Sequence, residues 1–113
     1  MGADRIGNYV LTHRKKTGLS QSELGRLIGY GGKASVCRHE TSQALPSLAT
    51  ALCYEAIFGV PVSKLFPGIA LTVQQALEDR LAALERELQE RSASSRYAKK
   101  LAWLDERRAI LEA

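Results

Sequence analysis

The sequence predicts an all-α protein with a five-helix domain over residues 1–70 and a two-helix extension over residues 71–113. Apolar residues recur at intervals of three and four along the chain, which is the spacing of amphipathic helices. Nine glycines and three prolines favour tight corners between such helices. No stretch shows the apolar–polar alternation of a half-buried strand, so no β-sheet is predicted.

Glycines and one capping motif divide the first three predicted helices. Residues 5–17 form the first helix. Ser20 and Glu23 match a capping box, in which the serine oxygen accepts from an early backbone N–H and the glutamate reaches back. The second helix begins there and ends at Gly29, and a loose glycine turn leads to a third helix over about residues 33–41. The second helix is predicted to bury Leu24, Leu27 and Ile28.

Two further helices complete the predicted first domain. The fourth runs over about residues 47–58 and ends at Gly59. Pro61 suits the first position of a short fifth helix, and Pro67 with Gly68 is expected to terminate it. The apolar residues of these helices suffice for one small core. The apolar residues that the fourth helix is expected to supply are Leu48, Ala51, Leu52, Ala56 and Phe58.

A leucine stripe marks the extension. From Thr72 the leucines are spaced alternately by four and three and are flanked by intermixed glutamate and arginine, as in a short coiled-coil seam. Four small polar residues, 92–95, precede a second amphipathic helix with Ser95 as its N-cap, which predicts an αα-hairpin or coiled coil. We expect the stripe to mediate homodimerisation. The alternatives are that the two helices of the extension cover each other, or that they pack on the first domain or on another protein. The predicted dimerisation residues are Leu77, Leu81, Leu84, Leu88, Leu101 and Leu104.

The net charge of +4 is confined to the first domain. Residues 1–70 contain eight Lys and Arg against four acidic residues, whereas residues 71–113 contain eight of each sign. A basic first domain with a neutral extension is what a phosphate-facing domain requires. A basic but merely solvated surface is the alternative.

Several function classes are disfavoured by the composition. The two cysteines have no zinc-type spacing, so neither a disulfide framework nor a metal site is expected. Cys37 is predicted to be a small filler, with a redox-sensing thiol as the alternative, and Cys53 is predicted to be a core residue. No signal peptide and no run of 18 apolar residues is present, which predicts a cytoplasmic protein without a membrane partner. His13 and His39 have no nucleophile and orienting group around them, so we expect no enzyme activity and no cofactor.

Taken in order, five segments of the chain resemble a known family. These segments are IGNYV, HRKKTGLSQSELGRLIG, VCRHE, LPSL and FGVPVSKLF. In combination they are similar to the Cro/phage-repressor type of helix-turn-helix domain, the XRE family of bacterial transcriptional regulators. The resemblance implies a five-helix lambda-repressor-like domain. It also implies a dimer that binds an inverted repeat in double-stranded DNA through the third helix, and a regulator that commonly represses.

The resemblance also assigns roles to residues outside the third helix. It implies that Arg14 pairs with Glu40, a guanidinium–carboxylate contact that would brace two helices while the remaining N–H groups of the arginine face a phosphate. Gln21 opens the second helix and corresponds to a phosphate-contacting position. Backbone N–H groups at that helix start would add to phosphate binding.

In the third helix, the resemblance places the base-reading residues at Lys33, Ala34, Ser35 and Arg38. Arg38 and Lys33 can donate to guanine O6 and N7, whereas Ala34 is limited to apolar contact such as a thymine methyl. Two departures from the family pattern affect this region. The glycine turn is one residue longer, which leaves the register of residues 33–35 open by one position. Ser42 also stands where glycine is usual, so the helix is expected to run longer or to end differently.

The leading interpretation is a sequence-specific DNA-binding transcriptional regulator. The alternative is a protein-interaction module, such as an antitoxin or a phage-derived adaptor, in which the two C-terminal helices bind a partner protein.

Overall fold

A computed structural model of the protein describes residues 7–91 and 97–112. All regular elements in these ranges are α-helices, which confirms the all-α class. The chain divides into two compact units, an N-terminal unit that ends at Ala70 and a C-terminal unit that begins at Leu71. The described helices are α1 Val10–Thr17, α2 Gln21–Leu27, α3 Ala34–Glu40, α4 Leu48–Phe58, α5 Val62–Leu65, α6 Pro67–Arg91 and α7 Ala98–Glu112.

The first helix starts later than its apolar pattern suggested. Gly7, Asn8 and Tyr9 are not helical, and the polar groups of Asn8 and Tyr9 have partners outside α1. The Asn8 side chain accepts a hydrogen bond from Val10 N (3.0 Å) and donates to the His39 carbonyl (2.7 Å), while Tyr9 N donates to the Leu65 carbonyl (2.8 Å). This segment ties α1 to α3 and α5. The earlier part of the predicted helix, residues 5 and 6, lies outside the described residues.

The turn between α2 and α3 depends on glycine. Gly29 and Gly31 have φ angles of 89° and 73°, in the left-handed region that side chains disfavour. On α2, Gly25 is buried, and a Cβ there would overlap the carbonyl oxygen of Gly32. The absence of a side chain on α2 therefore allows the turn to pack against it. Tyr30 fixes the other side of the turn, since its hydroxyl shares a hydrogen bond of 3.1 Å with that of Thr50.

The core of the N-terminal unit contains only some of the apolar residues that the sequence predicts for it. Its buried residues are Val10, Leu24, Ile28, Val36, Tyr54, Leu65 and Phe66. Leu27, predicted to face inward, is 56% exposed, because it lies on the solvent side of α2. Leu48 and Leu52, counted among the core residues of α4, are 76% and 51% exposed. Of the predicted set, Ala51 is buried, and Thr50 and Tyr54 complete the inner side of that helix.

Two helix ends differ from expectation. Pro67 was expected to stop the fifth helix with Gly68, but it is the first residue of α6, a position that suits proline because the missing N–H has no intrahelical acceptor. At the end of α3, Ser42 adopts the left-handed conformation with φ of 61°, so a serine occupies the geometry expected of glycine. Its hydroxyl accepts from the Asn8 side chain (3.3 Å), which supports this conformation.

In the C-terminal unit, the part of α6 from Leu71 onward packs against α7 as an antiparallel pair. Gln74 donates to the carbonyl of Leu111 (2.7 Å), and Arg108 forms an ion pair with Glu85 (2.6 Å), so the contacts run in opposite order along the two helices. Leu81, Leu88 and Leu104 are buried between them.

This packing affects the predicted dimerisation stripe. Half of its leucines fill the core of a single chain, while Leu77 and Leu84 remain 40% and 44% exposed. The predicted N-cap Ser95 lies outside the described residues. Among the described helices, none is both long enough and apolar enough to cross a membrane.

The close approach at Gly25 can be tested with a matched pair of glycines. We expect Gly25→Ala to lower the free energy of unfolding by about 1–3 kcal/mol, because the new methyl group must displace the backbone of Gly32. Gly32→Ala is the control, since a Cβ there meets no atom within 4 Å, and it should change stability by less than about 1 kcal/mol. Urea denaturation followed by circular dichroism measures both. Equal effects of the two variants would contradict the packing described.

Candidate nucleic-acid interface

The carboxylate of Glu40, the last residue of α3, joins the first three helices. Its side chain is only 3% exposed, so its oxygens need partners within the protein. Arg14 of α1 donates from Nε to Oε2 (2.6 Å) and from Nη2 to Oε1 (3.3 Å), and Gln21 of α2 donates to Oε1 (2.8 Å). The predicted partners Arg14 and Glu40 are therefore in contact, and a third residue completes the arrangement.

These contacts change how Arg14 and Gln21 are interpreted. The remaining Arg14 nitrogen, Nη1, donates to the Leu19 carbonyl (2.9 Å), so all three guanidinium nitrogens have acceptors inside the protein. With its side chain 13% exposed, Arg14 is better suited to bracing helices than to meeting a phosphate. The family pattern assigns Gln21 to a phosphate contact and to support of a base contact, and it does not predict the hydrogen bond that Gln21 donates to Glu40. No sequence signal links Gln21 to Glu40 beyond their places in the motif.

The capping box at the start of α2 is present. Ser20 Oγ accepts from Glu23 N (3.0 Å), and the Glu23 carboxylate accepts from Ser20 N (2.8 Å). These bonds from the backbone and side chain of Ser20 hold the pKa of Glu23 below its usual range. The carboxylate thus occupies the helix start where backbone N–H groups were expected to bind phosphate. Its negative charge makes this helix start a less favourable phosphate site.

The outer face of α3 is open. Ala34, Cys37, Arg38 and Thr41 follow the i, i+3, i+4, i+7 spacing of one helix face, and all four are exposed. Lys33 precedes the helix as its N-cap residue and is also exposed. Neither Lys33 nor Arg38 has a side-chain hydrogen bond or ion pair with the rest of the described chain. Both cations are therefore available to a ligand that approaches α3.

Two residues of α3 lie differently from their predicted places. Ser35 is half-buried and turns away from the open face, so it is less accessible than the other predicted base-reading residues. Cys37 was predicted to be a small filler but is exposed beside Arg38. Val36 is buried on the inner side of α3, which fixes the faces on which its neighbours lie.

The inner face of α3 is fixed to α4 by His39 and Tyr54. Both are buried, and His39 Nδ1 shares a hydrogen bond of 2.7 Å with the Tyr54 hydroxyl, with the two rings edge to face. Burial, reinforced by the Arg38 charge, lowers the pKa of His39. Burial, together with Glu40 and Tyr30, raises the pKa of Tyr54. The pair is therefore neutral at physiological pH and belongs to the core rather than to a reactive site.

Two of the helices that contact α3 carry other exposed cations. Lys15, Lys16 and Arg26 are exposed on α1 and α2. Within residues 7–91 and 97–112, no three His, Cys, Asp or Glu side chains are grouped closely enough to hold a metal ion. The chemistry that this surface offers is hydrogen-bond donation and positive charge.

The Arg14–Glu40 pair should contribute strongly to stability. We expect Arg14→Ala to cost about 3 kcal/mol, because it leaves the buried Glu40 carboxylate without its cation. Arg91→Ala removes an arginine from the exposed pair with Glu87 and should cost under about 1 kcal/mol. Chemical denaturation of both variants compares them. A similar small loss in each would show that the pair does not brace the helices.

Stability should also depend on the protonation of His39. Because the pKa of the folded ring is lowered, the unfolded chain takes up a proton first as the pH falls. The free energy of unfolding should therefore be fully present above about pH 6.5, the ordinary pKa of histidine, and decline as the pH drops below it. Urea midpoints between pH 5 and 8 measure this, and His39→Gln should flatten the decline. His13→Gln, which removes the other histidine, is the control, and a decline that persists unchanged in His39→Gln would refute the assignment.

Comparisons of the chain with protein-family models, with curated proteins and with solved structures found no match. The interpretation of this surface therefore depends on its own geometry and charge. Those properties are an open helix face with two available cations and an inner face locked by Glu40 and His39.

Proposed function

We propose that this protein is a sequence-specific regulator that binds double-stranded DNA by placing α3 in the major groove. The observation that supports this most directly is the asymmetry of α3. Its inner side is held by Glu40 and His39, while its outer side presents Arg38 without a partner in the described chain. A short rigid helix with a free arginine on its outer face is what readout of base edges requires.

Arg38 is the residue proposed to read sequence. Its guanidinium can donate two parallel hydrogen bonds to O6 and N7 of a guanine. Ala34 and Cys37, which flank it on the exposed face, offer only small contacts, such as packing against a thymine methyl group. Lys33, at the helix start, can donate to a second guanine or to a phosphate.

The charge distribution supports the same proposal. The excess positive charge lies in residues 1–70, and the exposed Lys15, Lys16 and Arg26 belong to the helices next to α3. Such residues bind phosphates without reading sequence and make affinity fall steeply with salt. Arg14 and Gln21 are proposed to act indirectly, by fixing α3 through Glu40.

Selection of bound duplexes from a random pool, followed by fluorescence-anisotropy titration over salt, tests the function. We expect a preferred sequence and a log–log salt slope of about −0.9 for each phosphate neutralised. Absence of any DNA binding at low salt would refute the proposal. It would favour the second candidate, a protein-interaction module.

A groove in the C-terminal unit supports the second candidate function, a protein-interaction module. A groove of about 460 Å³ is lined by Leu84, Leu88 and Leu104 together with Trp103, Lys99 and Lys100. Trp103 is 51% exposed, and the Arg107 guanidinium lies 5.6 Å from its ring centre. Apolar walls edged by cations suit an acidic amphipathic segment of another protein.

Replacing Arg38 should affect specificity more than general binding. We expect Arg38→Ala to reduce the preference for the selected duplex over a scrambled one by roughly 1–3 kcal/mol, the contribution of a bidentate guanine contact. Arg86→Ala removes the same charge from an exposed position of α6 and should leave that preference unchanged. Anisotropy titrations with both duplexes measure it. If Arg38→Ala weakens both duplexes equally, Arg38 contacts only the backbone.

A further inference from the structure

We propose that the C-terminal unit binds a single acidic amphipathic helix of another protein, which lies along α6 and α7 as the third helix of a bundle. The groove that contains Leu84, Lys100 and Trp103 in its lining is the centre of this docking site. The inference rests on the second candidate function and names its partner by chemistry. It does not depend on DNA binding by the N-terminal unit.

An exposed apolar stripe extends from the groove along both helices. Leu77 lies seven residues before Leu84 on α6, and Ile110 lies seven residues after Trp103 on α7, which keeps each pair on one helix face. Because the two helices are antiparallel, Leu77 and Ile110 extend the stripe in the same direction, by about 10 Å. These four side chains, the hairpin stripe, are between 40% and 54% exposed. Several large apolar side chains exposed in one row indicate a surface that is normally covered.

The shape of the hairpin stripe fits a helix. Two helices packed side by side leave a lengthwise depression between them, and in helical bundles a further helix fills such a depression. A small molecule in the groove would leave Leu77 and Ile110 in contact with water. A flat lipid surface would not enter the depression between α6 and α7. A partner helix can cover the groove and both extensions of the stripe together.

Cations are concentrated on the side of the C-terminal unit that carries the hairpin stripe. On α7, Lys100 and Arg107 lie three residues before and four residues after Trp103, and on α6, Arg80 lies four residues before Leu84. These three cations are exposed, and none has an ion pair within residues 7–91 and 97–112. Residues 71–113 contain eight acidic and eight basic residues, so this side is basic because the charges are segregated.

The acidic residues near the hairpin stripe do not cancel these cations. Glu85 pairs with Arg108 between the two helices, and Glu87, which shares the side of the stripe, pairs with Arg91. Glu106 is the one acidic residue of α7 beside the stripe. Unpaired cations therefore outnumber unpaired acids along the stripe, and a partner with acidic flanks is electrostatically complementary to it.

The combination of apolar stripe and cations disfavours other occupants. In a twofold contact between two copies, Lys100 and Arg107 of one chain would approach the same cations of the other. Nucleic acid would neutralise the cations but would leave Trp103 and Ile110 exposed to water. An amphipathic helix with glutamate or aspartate beside its apolar face satisfies both requirements, since its apolar residues cover the stripe and its carboxylates meet the cations. Trp103 is the type of large aromatic residue that anchors such contacts.

Trp103 is the single tryptophan of the chain, so its fluorescence reports directly on the docking site. Two synthetic peptides without tryptophan serve as probes. Each has leucine at the apolar positions of about three heptads, and the flanking positions carry glutamate in one probe and lysine in the other. We expect the full-length chain to bind the glutamate probe at least about tenfold more tightly than the lysine probe. Binding should shift the Trp103 emission to shorter wavelength, because the helix removes water from the indole ring.

Charge reversal on the two sides of the hairpin provides the matched control. Arg107→Glu should weaken binding of the glutamate probe by about tenfold and strengthen binding of the lysine probe. Arg86→Glu makes the same change two residues after Leu84, on the opposite side of α6, and should affect neither probe. Trp103→Ala, followed by anisotropy of a dye-labelled glutamate probe, should also weaken binding by about tenfold or more. The replaced side chains are exposed, and circular dichroism checks that each variant is folded.

Several results would overturn the proposal. Equal affinity for the two probes, or no binding of either at about 100 μM, would do so. An emission shift that follows protein concentration alone would assign the stripe to a second copy. A shift with anionic phosphatidylglycerol vesicles but not with the glutamate probe would assign it to a lipid surface. DNA titrations of the same samples separate the two functions. If the glutamate probe binds and no duplex does, the docking site stands and DNA binding fails, whereas the reverse result overturns only the docking site.

Discussion

A buried carboxylate that must be paired is the constraint on which the N-terminal unit depends. Glu40 is almost inaccessible to solvent, and such a group is tolerated only when hydrogen-bond donors replace water. Here the donors come from two other helices, through Arg14 and Gln21, so the carboxylate fixes how α1, α2 and α3 meet. His39, the residue before it, attaches the inner side of the same helix end to Tyr54. These two attachments hold the inner side of α3 against the unit, so the opposite face of the helix is exposed to solvent.

Much of the fold was predictable because local signals coincided with the final structure. The Ser20–Glu23 capping box and the glycines after α1 and α4 mark helix ends through backbone rules that need no tertiary information. The predictions that were wrong concern positions where local sequence rules allow more than one structure. Pro67 permits either an end or a beginning of a helix, and only the continuous α6 decides between them. Leu27 and Leu48 have the spacing of core residues, but a small unit lacks the neighbours to cover them.

The candidate site was predictable only in part for a similar reason. Exposed Arg38 and the Arg14–Glu40 contact follow from positions in a recognisable motif. The role of Gln21 in that contact does not, since it depends on the distance between two helices that no spacing rule provides. The stripe of leucines in the extension shows the same limit. Its pattern indicates burial, but cannot distinguish a partner within the chain from a second copy, and Leu81, Leu88 and Leu104 are buried within the chain.

The exposed thiol of Cys37 makes the outer face of α3 chemically addressable. The other cysteine of the chain, Cys53, is less accessible and packs against the core. A thiol-reactive dye would therefore label the natural protein first beside Arg38, without any substitution. Its fluorescence would report whatever covers that face of the helix. The chain thus carries its own site for a spectroscopic reporter at the surface whose ligand is in question.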